Sequence, residues 1–211
     1  EMIPRVLHLY HGTHFSPWSW RTPDERGIGN SETAQVELGK CFAKRGWEVI
    51  SYAPLPDGDE GLHDGVLWLP LDRAQANFPG YWIVWRQPEA LDKFELDHPT
   101  QFIGLLSQDE SYKNRWSDER VAKLDMLFAL CQAHKESLRS DHPGLYEKTR
   151  VSSNGIRMDL IREIEEQDGD VPRNPHRIMF ASSPDRGLLR LLKIFSRVRE
   201  VFPQLELHVF Y

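Results

Sequence analysis

The feature that most constrains this chain is a repeated alternation of two patterns. Short apolar runs, rich in β-branched and aromatic residues, alternate with segments of helical periodicity. Val6 to Tyr10 reads as a first strand, and Ser31 to Lys44 as a helix with Ala34, Leu38, Cys41 and Phe42 on one face, closed by Gly46. Further strands are expected at Trp47 to Tyr52, Val66 to Leu69, Tyr81 to Trp85, Phe102 to Leu106 and Met126 to Cys131. A short helix follows at about His134 to Arg139, and Arg150 to Ser152 leads into the turn Asn154-Gly155. Nearly continuous apolar character marks strands buried on both faces, which is how parallel sheets occur. The expectation is an α/β chain: a Rossmann-like parallel sheet with helices on both faces.

The bulk properties narrow the function classes. With 211 residues, 40% of them apolar, the chain can bury one sizeable core, or a core and a fragment of another. A net charge of −6 argues against a nucleic-acid binder, which needs a basic footprint. Cys41 and Cys131 show no paired metal or redox spacing, so a reducing, cytoplasmic setting is expected. The start Glu1-Met2-Ile3-Pro4-Arg5 lacks the pattern of a secretory signal, and no apolar window is long enough to span a bilayer.

Composition shifts between Asp159 and Pro175. Glu163, Glu165, Glu166, Asp168 and Asp170 crowd together, and Pro172 and Pro175 follow. This reads as a helix running into a linker, and gives a first domain over 1–160, a linker over 161–175 and a second unit over 176–211. The second unit reads as strand (Arg177 to Ala181), helix (Leu188 to Phe202) and strand (Leu205 to Tyr211). So small a βαβ unit cannot bury enough surface to stand alone. It is expected to be the incomplete start of a second Rossmann-like domain, with an open strand edge that would admit a second copy of the chain.

Two entries into helices carry candidate chemistry. Gly27-Ile28-Gly29-Asn30-Ser31-Glu32 leads into the first helix, with Asn30 or Ser31 as N-cap. Glycines there let backbone approach a ligand, and free N–H groups of the first turn favour an anion. The motif is not the dinucleotide fingerprint, since residues 11–26 separate it from the first strand and Glu32 stands where the third glycine belongs. A helix cap after a long surface loop is the plainer reading. The loop carries His14, Phe15, Trp18 and Trp20, which could stack on a sugar or simply pin the loop down.

The second entry is Ser182-Ser183-Pro184-Asp185-Arg186-Gly187, with Ser183 as N-cap and Pro184 as first helical residue. Leu188, Leu191, Leu192, Phe195 and Val198 follow at helical spacing as a buried stripe. Arg186 there suits a phosphate, or pairs with Asp185 or the acidic linker.

Taken in order, three stretches resemble family 4 of the retaining glycosyltransferases, which have the GT-B fold. They are Gly27 to Val49, Ser153-Asn154-Gly155-Ile156, and Phe180 to Tyr211. The resemblance implies an acceptor-side N-terminal domain and a donor-side C-terminal domain. It implies that Gly27, Gly29, Asn30 and Ser31 lie over the donor phosphates, and that Arg186 and Gly187 stand where the family has a Lys-Gly pair on the diphosphate. Glu32, His14, Trp18 and Glu110 become acceptor-side candidates and Asp109 the catalytic candidate. No metal or other cofactor is implied, because cations and helix termini neutralise the leaving group.

The chain departs from the family at three places. Ser182-Ser183 replaces a Gly-Arg pair, Gln108-Asp109-Glu110 offers no histidine, and the family's later acidic motif would lie beyond Tyr211.

The expected function is transfer of a sugar from a nucleotide diphosphate sugar to a saccharide-like acceptor, the acceptor being the one route to peripheral membrane contact. The chain by itself is expected to be weakly active or inactive. The alternatives are a non-catalytic sugar- or nucleotide-binding half-domain completed by oligomerisation, and a dinucleotide-dependent doubly wound enzyme such as an epimerase.

Overall fold

In the computed structural model, which describes residues 2–12, 16–107, 115–169 and 172–210, the chain is an α/β protein of Rossmann-like type. It divides into two compact units, Glu1–Gly155 and Ile156–Tyr211. The division falls at the Asn154-Gly155 turn, earlier than the boundary at 160 read from composition.

The first unit is built on eight strands: β1 (Val6–Tyr10), β2 (Glu48–Ala53), β3 (Gly61–His63), β4 (Val66–Pro70), β5 (Gly80–Trp85), β6 (Gln101–Leu106), β7 (Met126–Ala129) and β8 (Thr149–Val151). Their order across the sheet is β3-β4-β2-β1-β5-β6-β7-β8. Every pairing is parallel except β3 with β4. Strand β3 escapes a pattern reading because it is three residues at an edge, held by the hairpin turn at Asp64-Gly65 rather than by an apolar run.

The helices are α1 (Thr22–Glu25), α2 (Asn30–Ala43), α3 (Asp118–Lys123), α4 (Gln132–Asp141) and α5 (Pro143–Lys148). They cover both faces. Leu7, Leu9, Val49, Val66, Trp68 and Trp85 pack with Val36 of α2 and Trp18 on one side. Tyr10, Tyr52, Trp82, Val84, Ile103, Leu105 and Leu127 pack with Val121, Leu138 and Leu145 of α3 to α5 on the other. Helix α2 approaches so closely at Gly39 that an added Cβ would sit 3.2 Å from Val66 and 3.3 Å from Leu9.

Several local expectations are corrected. Helix α2 is capped by Gly29 without a side-chain hydrogen bond, so neither Asn30 nor Ser31 is the cap. Its buried face is Ser31, Glu32, Gln35, Val36 and Gly39, and Cys41 is exposed. Strand β7 ends at Ala129, and Cys131 caps α4 instead of continuing the strand. Helix α5, begun by Pro143 at its first turn, is an additional element.

The second unit comprises α6 (Met158–Asp168), β9 (Arg177–Phe180), α7 (Leu188–Val201) and β10 (Glu206–Val209), the two strands pairing in parallel. Residues 161–168, placed in the linker by their charge, are helical. Their Glu, Gln and Arg residues are good helix formers, and Arg162, Glu163, Glu165 and Glu166 are exposed. Ser183 caps a short 3-10 turn, Pro184–Arg186, and α7 starts after Gly187. With only two strands beneath it, α7 buries no residue fully; Leu192 of the expected stripe is 47% exposed. No helix among the described residues is long and apolar enough to cross a membrane.

Candidate functional site

The sheet order creates one privileged place. From β1 the chain moves outward through β2 to β4, then returns to the other side of β1 as β5 and continues to β8. The direction therefore reverses between β1 and β5. Open parallel sheets bind ligands outside the strand carboxyl ends at such a switch point. Here those ends are His11-Gly12 after β1 and Arg86-Gln87 after β5, and helix α2 opens above them.

An island of buried polar groups occupies this position. His11 and Glu32 are 4% and 2% exposed, and His11 Nε2 lies 3.4 Å from Glu32 Oε1. Ser31 is buried beside them, its Oγ accepting from Arg86 Nη1 at 3.5 Å. Gln35, one turn along α2, is fully buried; its amide Nε2 donates to Ser51 Oγ at 2.8 Å and lies 3.3 Å from the Tyr52 carbonyl. Buried polar and charged groups cost free energy unless paired, so a helix face that opens with Ser, Glu and Gln is not an economical core. Arg86 adds a second departure: its φ is +61°, left-handed backbone in a non-glycine residue. Strain of this kind collects at functional sites.

Aromatic rings enclose the island. Trp85 stacks on His11 with centroids 6.4 Å apart, and Trp18 meets it edge-on at 5.5 Å. Both indoles are completely buried, and neither Nε1–H has an acceptor among the described residues. The Oε1 of Gln35 and Oγ of Ser19 are likewise unpaired there. Trp18 also packs on Trp68, and its backbone N–H donates to the Pro54 carbonyl at 3.0 Å. It is therefore core, and offers no exposed stacking face to an acceptor. Trp20 does reach the surface layer, stacked on His63 with centroids 4.0 Å apart.

The other residues singled out from sequence are distributed as follows. Gly27 has φ +68°, with nothing within 4 Å of where a Cβ would stand. Gly29 lies against the Glu32 carboxylate, where a Cβ would collide with Oε2. Asn30 is exposed in the first turn of α2. Arg186 and Gly187 belong to the second unit, Arg186 exposed in the 3-10 turn. His14, Asp109 and Glu110 lie outside the described residues.

Sequence reasoning missed His11, Gln35 and Arg86. Position was their signal: His11 and Arg86 each directly follow a predicted strand, and Gln35 stands four residues after Ser31.

Two other histidines make buried polar contacts. At the end of β6, Ser107 Oγ lies 3.2 Å from His134 Nε2. The Leu130 N–H donates to His134 Nδ1 at 3.4 Å, which leaves the proton on Nε2. In that tautomer His134 donates to Ser107. On the opposite sheet face His8 is sandwiched in the core, its ring 4.3 Å from Trp82. Its Nε2–H donates to the Pro79 carbonyl, and Nδ1 accepts from the Tyr52 hydroxyl. Burial holds the His8 pKa below its ordinary value, against the hydrogen bond to Pro79, which raises it.

No group of three or more His, Cys, Asp or Glu among the described residues is arranged to hold a metal ion. No protein-family model matches the chain, and no curated protein matches it.

Proposed function

We propose that the chain belongs to a glycosyl-transfer system of the GT-B kind, its first unit holding the acceptor side. The observation that carries this reading is the buried polar island of His11, Ser31, Glu32 and Gln35, with Arg86, at the switch point between β1 and β5. Carboxylate and amide oxygens suit the hydroxyl groups of a saccharide. The ordered segments from Gly27 to Tyr211 that resemble the family add the donor, a nucleotide diphosphate sugar. In the second unit, Arg186 beside the start of α7 supplies a cation suited to the diphosphate. Chemistry would rest on positioning and on stabilising the leaving diphosphate.

The test is calorimetric titration of the chain with uridine and guanosine diphosphates and with NAD. Saturable binding of a nucleoside diphosphate without binding of NAD is the expected result. Binding of NAD with neither nucleoside diphosphate would replace this reading with a dinucleotide enzyme. Arg186→Ala is expected to weaken the nucleotide and leave the fold of the first unit unchanged.

A further inference from the structure

The two long helices of the second unit carry opposite charge, and each leaves an apolar face uncovered. On α6, Leu160, Ile161 and Ile164 are all exposed, Ile164 by 57%. At about 3.6 residues per turn these three lie side by side, with Glu163 along one border and Glu165 along the other. On α7, Arg190, Lys193 and Arg197 form an exposed row at spacings of three and four. Ile194 and Val201, 57% and 70% exposed, run beside that row. The whole chain has a net charge of −6, yet α7 sets Arg190, Lys193, Arg197 and Arg199 against the single acid Glu200. Among the described residues neither Glu163 and Glu165 nor the three cations of the row form an ion pair.

The two faces are complementary. Laid against Ile194 and Val201, the stripe of Leu160, Ile161 and Ile164 leaves water while a bordering glutamate reaches the cationic row. Within one chain the helices do not cover each other, since all of these residues are exposed. An anionic membrane would satisfy α7 and leave the acidic α6 uncovered and repelled. A second copy supplies both complements at once: under two-fold symmetry each α6 meets the α7 of the other chain. We propose that the chain forms an isologous dimer in which α6 of each copy lies on α7 of the other. The contact uses no residue of the buried polar island and is independent of the transferase reading.

The test is sedimentation equilibrium of the whole chain over a range of protein and salt concentrations. A dimer that added salt weakens is expected. Two variants reverse the charges: Glu163→Lys with Glu165→Lys on α6, and Arg190→Glu with Arg197→Glu on α7. All four positions are exposed, and circular dichroism checks that each variant keeps the wild-type fold. Each variant alone is expected to dimerise roughly tenfold or more weakly. Mixed in equal amounts, the two are expected to pair with each other, because every reversed helix then faces its opposite at both contacts. A wild-type chain that stays monomeric overturns the proposal, whether α6 closes on its own α7 or α7 instead takes vesicles containing phosphatidylglycerol. So does a dimer that the reversals leave unchanged, or a mixture that does not recover pairing. Where a reversed variant does not fold, Glu165→Gln and Arg197→Gln serve instead. Each is expected to weaken the dimer and flatten its salt dependence, and unchanged affinity in both overturns the proposal.

Discussion

Glu32 Oε1 and His11 Nε2 lie 3.4 Å apart, and both side chains are almost wholly withdrawn from solvent. The contact joins the first turn of α2 to the residue that follows the central strand β1. Removing one member leaves the other buried without this contact. His11→Ala or Glu32→Ala is expected to cost about 3 kcal/mol, and the double variant less than the sum of the two. Urea unfolding of the four proteins measures the coupling; additive losses would show that the contact carries no energy.

His8 makes stability depend on acid. Its folded pKa lies below the ordinary value of 6.5, so the unfolded chain takes up a proton more readily. The contribution is therefore complete above pH 6.5 and is lost as pH falls through the depressed folded value. Unfolding free energy followed from pH 8 to pH 5 should decline, and the C–H resonances of His8 should titrate below the ordinary value of 6.5.

Tyr52 produces the mirror effect in base. Burial raises its pKa from 10.0 to about 12, favouring the neutral phenol in the folded state. Stability from this group is complete below pH 10 and lost as pH rises towards 12. Absorbance titration should show a late-ionising tyrosine, and Tyr52→Phe should lose that step.

Glycines at two close approaches should respond differently. At Gly80 φ is +134° and a Cβ would stand 2.7 Å from the Val6 carbonyl oxygen, so backbone must shift. Gly80→Ala is expected to cost about 2–3 kcal/mol. At Gly39 the neighbours are side chains of Val66 and Leu9, and alanine gains about 1 kcal/mol of helix propensity. Gly39→Ala is therefore expected to lie near neutral. Thermal melts rank the pair, and an equal loss at both positions would contradict this account.

Two arginine–carboxylate pairs differ by burial. Arg21 reaches the 4%-exposed Asp59 with Nη2–Oδ1 and Nε–Oδ2 distances of 2.7 and 3.1 Å. Arg177 and Glu206 are both about half exposed. Arg21→Ala should lower the unfolding midpoint measurably because Asp59 is left buried and unpaired, whereas Arg177→Ala should leave it unchanged. Denaturant midpoints of the two variants make the comparison.

The sequence by itself determined the α/β class. The apolar runs at Val6–Tyr10 and Gly80–Trp85 can be satisfied only by strands buried on both faces, and helical periodicity between such runs supplies the covering layers. It also marked the Gly27-to-Glu32 entry as chemically unusual. Strand order is different, because it follows from which faces meet in three dimensions. Only the tertiary structure placed β5 against β1, and with it the switch point that brings Arg86 to Ser31 and His11 to Glu32 across gaps of 55 and 21 residues. The same packing set Trp18 in the core, where the sequence had left stacking on a sugar and pinning the loop both open, and turned the polar side of α2 inward. Periodicity records which residues share a face; burial of Glu32 and Gln35 depends on what that face is pressed against.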